Sequence, residues 1–346
     1  VLAPRKGLHE NVVALDFASM YPNLMILYNL SPDTFVPKGE ETGDESCWVI
    51  EGLGHRFRKK PPGLYKSALT NLISFRNDVK ARLKSTSLSD AERRILEERE
   101  RAVKVITNAC YGYAGWTGAR WYVREVAESA AALGRKSITQ VIDRCKEIGL
   151  SVIYADTDAV FVTRDEDKVQ SLLRWVNENL RMDIRPDKTY QRVLFTEAKK
   201  RYAGLLADGT LDIVGMEVVR GDWSEVARKV QEKAIELILR EASPKKAKEY
   251  VLNAIEQLRR GEVSMQDLVI WKTLTKPAEE YAVKAPHVEA AKRLLKEGYE
   301  LSMGDKIGYV ITVGAGKLYE KAKPYALISY DEVETEYYVT NQVLPA

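Results

Sequence analysis

The sequence has few cysteines and histidines and no long apolar run. Its 346 residues contain three cysteines and three histidines, and no C-x-x-C motif occurs. This excludes a disulfide scaffold, argues against a structural zinc site and fits a reducing compartment, which we expect to be the cytoplasm. The opening VLAPRKGLHE lacks the apolar core of a signal peptide. The best membrane candidate, residues 12–30, contains Asp16 and Pro22 and fails as a bilayer helix, so no membrane is expected.

Neither sign of charge is in large excess. Lys and Arg total 53 against 50 Asp and Glu, giving a net charge of +3. This balance excludes a histone-like or RNA-coating protein, so any polyanion site must come from local clustering. No internal repeat or low-complexity segment is present, and the length suggests two or three domains. Because the first residue is Val and the last five are QVLPA, we expect part of a larger protein.

Apolar periodicity predicts a mixture of helices and strands. A buried strand is predicted at 11–17 and a β-hairpin at 151–162, with its turn at 155–159. Residues 31–63 are rich in Pro, Gly and charge and should be mostly loop. Ser89 is the predicted N-cap of a helix, with Glu92 three residues later. The predicted helices cover residues 64–84, 89–109, 126–148, 169–180, 223–241, 245–260 and 287–297.

Two carboxylates, Asp16 and Asp158, stand at strand ends in apolar surroundings, and Asp156 lies two residues before the second. A buried carboxylate pair needs a cation or a proton between its members. Magnesium suits such a site, and two ions could clamp the oxygens of a phosphoryl transfer. Ordinary turn chemistry or helix capping is the alternative interpretation of these acids.

Six segments in order closely resemble family B DNA polymerases of the archaeal replicative type. DFASMYPNL from Asp16 resembles the first palm motif, DFxSLYPSI, and KVITNACYG from Lys104 resembles the fingers motif, KxxxNSxYG. YADTD from Tyr154 resembles the second palm motif, YxDTD, and KKRY from Lys199 resembles the basic KKxY motif. GMEVVRGDWS from Gly215 and EYYVTNQVLP from Glu336 resemble thumb segments.

The resemblance implies an α+β right-hand polymerase core with an antiparallel-sheet palm, helical-hairpin fingers and a mixed, mainly helical thumb. The palm would comprise residues 1–63 and 117–195, the fingers 64–116 and the thumb 196–346. We expect the thumb to be truncated. The N-terminal and exonuclease domains would precede residue 1, so this chain is expected not to proofread.

The implied activity is that of a DNA-directed DNA polymerase, adding dNMP to a primer 3′-OH and releasing pyrophosphate. Asp16, the Phe17 carbonyl and Asp158 would hold two Mg²⁺ ions, and Asp156 would support the catalytic site. The implied partners are primer–template DNA and dNTPs, with a sliding clamp or further polymerase segments as additional candidates. An archaeal cytoplasm with association to the nucleoid is the implied location.

The resemblance also assigns nucleotide-binding residues. Arg76, Lys80 and Lys104 would bind the triphosphate, and Lys104 also suits a general acid toward pyrophosphate. Residues 76 and 80 are four apart and share a helix face; a solvated helix face is the alternative. Tyr21 would exclude a 2′-hydroxyl by volume, its alternative being a core aromatic. The remaining predicted nucleotide contacts are Phe17, Ala18, Ser19, Met20, Asn108 and Tyr111.

The resemblance implies contacts to DNA at nine positions. In the KKRY segment, phosphate neutralisation and an aromatic contact would give affinity without sequence specificity. A solvated basic turn is the alternative for the KKRY segment, and a surface histidine is the alternative for His287. The implied DNA contacts are Gly112, Thr157, Lys199, Lys200, Arg201, Tyr202, Arg220, Lys276 and His287.

Two other function classes stay open at this point. One is an inactive polymerase-like module that binds DNA or a partner, which the presence of Asp16, Asp156 and Asp158 disfavours. The other is a different nucleotidyl transferase, either RNA-templated or protein-primed. Tyr21 favours dNTPs but does not decide the template.

Overall fold

The computed structural model describes residues 2–40 and 43–346 and separates into two compact units. Unit 1 contains residues 2–3 and 12–189, and unit 2 contains residues 4–11 and 190–346. Among the described residues, no helix is both long and apolar enough to cross a membrane. The palm, fingers and thumb boundaries stay predictions.

Unit 1 alternates helices with strands that pair antiparallel. The elements are β1 (Gly7–Phe17), α1 (Met20–Leu27), β2 (Phe35–Val36), β3 (Cys47–Val49), β4 (Arg56–Arg58), α2 (Leu64–Leu83), α3 (Asp90–Ala114), α4 (Arg124–Glu147), β5 (Val152–Asp156), β6 (Ala159–Thr163), α5 (Glu166–Leu180) and β7 (Ile184–Phe195). The strands β1 and β7 each contribute residues to both units.

The helical hairpin α2–α3 forms as the periodicity predicts. Ser89 caps α3 by accepting from the Glu92 amide, while the Glu92 carboxylate accepts from the Ser89 amide. The predicted end of this helix near residue 109 is wrong, because α3 continues to Ala114. Its buried face continues through Val103, Thr107 and Ala114, and packing of that face outweighs the low helix propensity of the segment after residue 107.

One further expectation needs correction, because the predicted strand 11–17 starts earlier, at Gly7. The described part of residues 31–63 is mostly loop, as predicted, and it also contains a small antiparallel sheet of order β2-β4-β3. Phe57 on the central strand is fully buried, which gives this short sheet an apolar anchor. Elsewhere the predicted helices and the hairpin are confirmed within a few residues of their ends.

The core of unit 1 lies between its sheet and its helices. Within unit 1 the strands follow the order β5-β6-β1-β7. Val13, Leu15 and Phe17 on β1 alternate in period two and pack with residues of α1, α4 and α5. This packing fixes the end of β1, where Asp16 stands.

Unit 2 also mixes helices and antiparallel strands, in agreement with the expected α+β class. The elements are β8 (Tyr202–Leu206), β9 (Leu211–Val214), α6 (Glu225–Glu241), α7 (Pro244–Arg259), α8 (Met265–Leu268), β10 (Ile270–Thr273), α9 (Pro286–Lys296), β11 (Lys306–Ile311), α10 (Leu318–Lys321), β12 (Ala322–Pro324) and α11 (Thr335–Tyr338), followed by a π-helix at Val339–Val343. The apolar core of unit 2 joins α6, α7 and α9 to the sheet of order β10-β11-β12.

Candidate functional site

Strand pairing brings Asp16 and Asp158 together although they are far apart in sequence. In the antiparallel register of β1 and β6, Asp16 lies opposite Ala159, the residue after Asp158. The Phe17 amide donates to the Asp158 carbonyl at 2.9 Å. Thr157, in the tight turn before Asp158, has φ of 54°, which a β-branched residue rarely adopts. Strained backbone of this kind is found preferentially at functional sites.

The carboxylates carry negative charge that nearby cations only partly offset. Burial, together with the charges of Asp158 and Asp187, raises the pKa of Asp16 to about 6, against the opposing effect of Lys104. Asp156, at the end of β5, is partly buried and accepts from the Thr157 hydroxyl at 3.4 Å. A site with this excess of negative charge is suited to binding a cation.

The donor set fits magnesium. Mg²⁺ in proteins keeps several waters and is held by one or two carboxylates together with substrate phosphates. Asp16, Asp158 and the Phe17 carbonyl are hard oxygen donors at one strand end. In the described ranges no group of three or more His, Cys, Asp or Glu side chains forms a ready-made cage. That finding is compatible with an ion completed by water and substrate.

Three predicted triphosphate ligands occupy the helical hairpin next to these acids. Arg76 and Lys80 stand on α2, and Lys104 stands on α3. Burial lowers the pKa of Lys80, and the charges of Arg76, Arg185 and Lys104 lower it further, against the opposing effect of Glu100. The charge of Lys104 therefore acts on both Lys80 and Asp16, which links the cations to the carboxylates.

The Arg76 side chain is held by a carboxylate that the sequence analysis did not single out. Its Nε and Nη2 atoms lie 2.7 and 2.6 Å from Oε1 of Glu100, and Lys80 Nζ lies 3.8 Å from the same oxygen. The side chains of Arg76 and Glu100 are 16% and 20% exposed, so solvent screens this ion pair only partly. Glu100 therefore orients Arg76 and places a negative charge close to Lys80.

The segment after Asp16 turns directly into helix α1. Ser19 adopts the left-handed region, with φ of 51°, and precedes the first helical residue, Met20, which is buried. The Ala18 amide donates to the Asp183 carbonyl at 2.9 Å, and the Asn23 side chain donates to the Ala18 carbonyl at 2.6 Å. These bonds fix the backbone between the carboxylate and the aromatic residue that follows.

Tyr21 is half-buried and lies parallel to Tyr111 of α3. Their ring centroids are 4.2 Å apart and the rings are inclined by 9°. Asn108 is exposed on the same helix, and an added Cβ at Gly112 would meet no atom within 4 Å. Residues 104, 108 and 111 are spaced by four and three, so they share one face of α3. The stacked rings thus bring together two predicted nucleotide-binding residues, Tyr21 of α1 and Tyr111 of α3.

Comparison with known proteins decides the family. The sequence model of DNA polymerase family B matches residues 1–346. The chain belongs to DNA polymerase family B. It is 51% identical over its whole length to DNA polymerase 2 of Aeropyrum pernix and 40% identical to a DNA polymerase of Archaeoglobus fulgidus, covering 43% and 46% of those proteins.

A solved structure agrees with this assignment. The family B DNA polymerase of the hyperthermophilic archaeon Pyrobaculum calidifontis superposes with a TM-score of 0.79 and is 45% identical in sequence. The match covers all of this chain and 45% of the polymerase chain. The chain therefore spans less than half the length of these family B relatives.

In unit 2 the side chains of the KKRY segment of this family B chain differ in their surroundings. Lys199 and Lys200 are exposed, and Lys200 has φ of 61°. The Arg201 Nη2 atom lies 2.7 Å from a carboxylate oxygen of Glu217, whose side chain is 4% exposed. Tyr202 begins β8 and contacts the ring of Phe195. Arg201 thus has a buried structural partner, and Lys199 and Lys200 lie at the surface.

The three other predicted DNA contacts in unit 2, Arg220, Lys276 and His287, differ in their surroundings. Arg220 is exposed and pairs with Asp222 through two bonds of 3.1 Å. The ammonium group of Lys276 lies 5.0 Å from the centroid of the Tyr281 ring. The surface alternative for His287 is wrong, because this residue is 8% exposed and packs edge-on against Tyr281. Burial lowers the pKa of His287, with a further contribution from Lys272, which disfavours a charged contact to phosphate.

Three charged residues near the family B motifs were missed by sequence reasoning. Asp187 and Arg185 act electrostatically on Asp16 and Lys80, and both lie at the start of β7. Residues 183, 185 and 187 alternate with the buried Met182 and Ile184, a period-two pattern visible in the sequence. Glu100 lies four residues before Lys104, a spacing that places it on the face of the triphosphate ligands.

Proposed function

We propose that this chain forms the core of a DNA-directed DNA polymerase, which adds dNMP from a dNTP to a primer 3′-OH on a DNA template. The observation that carries the proposal is the position of Lys104, whose charge acts on both the carboxylate Asp16 and the cation Lys80. A triphosphate next to these groups would have its reacting phosphorus near the acids and its leaving group near the cations. The small number of cysteines, Cys47, Cys110 and Cys145, is consistent with a cytoplasmic enzyme.

The carboxylates would hold the metal ions. Asp16, Asp158 and the Phe17 carbonyl are the proposed ligands of two Mg²⁺ ions, and Asp187 adds negative charge to the same field. When bound, such ions activate the attacking hydroxyl and neutralise charge on the phosphoryl oxygens. Asp156 and Thr157 shape the turn that presents Asp158.

The cations would stabilise the leaving group. As the primer 3′-oxygen bonds to the α-phosphorus, the bond to the β-phosphate oxygen breaks and negative charge grows on pyrophosphate. Arg76, Lys80 and Lys104 would neutralise that charge, and Lys104 would give a proton to the departing oxygen. Preorganised cations of this kind supply a large share of transition-state stabilisation.

Tyr21 and Tyr111 would form one wall of the nucleotide site. The two rings are stacked, so each limits the movement of the other. We assign to Tyr21 the exclusion of a ribose 2′-hydroxyl by volume. Asn108 and Gly112, exposed on the Tyr111 helix, would border the nascent base pair and the DNA, and Lys199 and Lys200 would contact phosphates.

The test is single-nucleotide extension of a labelled DNA primer. The chain should add only the dNTP complementary to the template base, should require Mg²⁺ and should stop when EDTA is added. A DNA template should support faster extension than an RNA template of the same sequence. Extension without a template, or preference for the RNA template, would contradict the proposal.

A further inference from the structure

The ring of Tyr21 is confined on two sides. Tyr111 of α3 lies parallel to it at 4.2 Å between centroids. Gly134 of α4 approaches its edge: a Cβ built on Gly134 would lie 3.0 Å from Tyr21 Cε1 and 3.6 Å from Cζ. Carbon atoms that are not bonded have their optimal separation at about 3.5–4.0 Å. A side chain at residue 134 would therefore force Tyr21 to move by a few tenths of an ångström.

Met20, the other neighbour of that added Cβ, could move aside more easily than Tyr21. The terminal methyl of Met20 would also lie 3.0 Å from it. A methionine methyl can move by rotating about its own bonds, since this side chain is unbranched and flexible. The phenol ring of Tyr21 is rigid, and its stacking on Tyr111 leaves little room on that side. The strain of a larger residue 134 would therefore pass mainly to Tyr21.

Gly134 is unusual for its place in the chain. It lies in the interior of α4 (Arg124–Glu147), is buried, and belongs to the residue type that disfavours helix interiors most after proline. Propensity alone would favour alanine there. The close approach of Tyr21 and Met20 is the structural reason for glycine.

We propose that Gly134 is a positioning residue for Tyr21 and thereby sets the selectivity of this site for dNTP over rNTP. The inference rests on the proposed function, in which Tyr21 excludes the 2′-hydroxyl. Exclusion by volume depends on where the ring is held, because even a small displacement or tilt of the ring leaves more space for the extra oxygen atom. Gly134 provides the space that holds the ring in place.

The experiment compares wild type with Gly134→Ala in single-nucleotide extension opposite dT. Selectivity is the kcat/KM for dATP divided by that for ATP. We expect Gly134→Ala to lower this ratio at least fivefold, whereas Thr139→Ala, an exposed position on the same helix, leaves it unchanged. An unaltered ratio for Gly134→Ala overturns the inference. If wild type itself fails to incorporate dATP, the proposed function fails instead.

A double-variant comparison tests whether the effect passes through Tyr21. In a Tyr21→Ala background the ring is gone, so Gly134→Ala should no longer change the ratio. The same fivefold change in that background would overturn the inference, because the effect would then bypass Tyr21.

A second background guards against a folding defect. Met20→Leu removes the terminal methyl and makes room for the new Cβ on that side. The Met20→Leu/Gly134→Ala protein should fold, as checked by thermal unfolding, and should have a lower ratio than Met20→Leu alone. Equal ratios for these two proteins would also contradict the inference.

Discussion

Arg76 donates through Nε and Nη2 to one carboxylate oxygen of Glu100, at 2.7 and 2.6 Å, in a setting where both side chains are largely buried. The same oxygen lies 3.8 Å from the Lys80 ammonium. Glu100 therefore fixes the position of Arg76 and presents a competing negative charge to both cations. A triphosphate that binds Arg76 and Lys80 must approach this carboxylate.

The first prediction separates the two effects of Glu100. Glu100→Gln keeps an oxygen that can accept from Arg76 but removes the charge that repels the triphosphate. We expect the KM for dNTP to fall by about threefold with kcat nearly unchanged, as expected for one screened charge a few ångströms away. Steady-state extension kinetics measure both constants.

Two further variants serve as controls for this prediction. Glu100→Ala removes the orienting bond as well, and it should lower kcat about tenfold, since Arg76 loses its position. Glu98→Gln alters an exposed acid on the same helix and should change neither constant. A raised KM for Glu100→Gln would contradict the account of Glu100 as a competing charge.

The second prediction concerns the free energy of unfolding that is lost when Asp16, Asp158 and Asp187 lie together without a metal ion. Burial and the charges of Asp158 and Asp187 raise the pKa of Asp16, so its ionised form is destabilised at neutral pH. Asp16→Asn should therefore increase the free energy of unfolding in EDTA by about 1 kcal/mol, a value reduced for partial exposure. Urea unfolding at pH 7.5 measures it.

Magnesium provides the matching control. It should stabilise wild type more than Asp16→Asn, because a ligand that binds only the folded state stabilises by mass action. Asp78→Asn, at an exposed position on α2, should not reproduce either effect. A less stable Asp16→Asn protein in EDTA would be inconsistent with a repulsive cluster.

The third prediction assigns a structural role to Arg201. The carboxylate of Glu217 is 4% exposed and accepts from Arg201 and from Gln231, each at 2.7 Å. Arg201→Ala leaves this charge buried with one donor fewer and should cost about 2 kcal/mol of unfolding free energy. Adding Glu217→Gln to Arg201→Ala should recover part of the loss. If Arg201→Ala is as stable as wild type, this ion pair has no structural role.

The fourth prediction assigns DNA binding to Lys199, which is exposed and lies two residues before Arg201. Lys199→Ala should leave stability within about 0.5 kcal/mol of wild type, since the side chain is exposed. The slope of log affinity for duplex DNA against log salt concentration should become shallower by about one. Fluorescence anisotropy at several salt concentrations measures the slope. An unchanged slope would show that Lys199 does not contact phosphate.

The sequence predicted most helices and strands because capping residues and apolar periodicity lie within each element itself. Ser89 and Glu92 form the expected capping box, and the alternating apolar residues of β1 form a buried strand. The end of α3 was missed because packing of Val103, Thr107 and Ala114 continues the helix beyond the point that local propensity favours.

The site was predictable only in part. The motifs indicated Asp16, Asp158 and Lys104, but no local signal states which residues lie near them in space. Asp187 and Arg185 come close through the placement of β7, and Gly134 matters through a contact between α1 and α4. Such relationships depend on tertiary packing, which determines distances that sequence spacing does not.

The central claim is that Asp16 and Asp158 hold the metal ions for templated phosphoryl transfer. The variant Asp158→Asn tests it most directly. This change keeps the size of the side chain and removes one proposed metal ligand. With saturating Mg²⁺ and the complementary dNTP, we expect extension to fall by at least about 10³-fold, the scale of losing a group that stabilises transition-state charge. Affinity for primer–template DNA should stay within about threefold of wild type. Extension by Asp158→Asn at a rate near that of wild type would contradict the assignment.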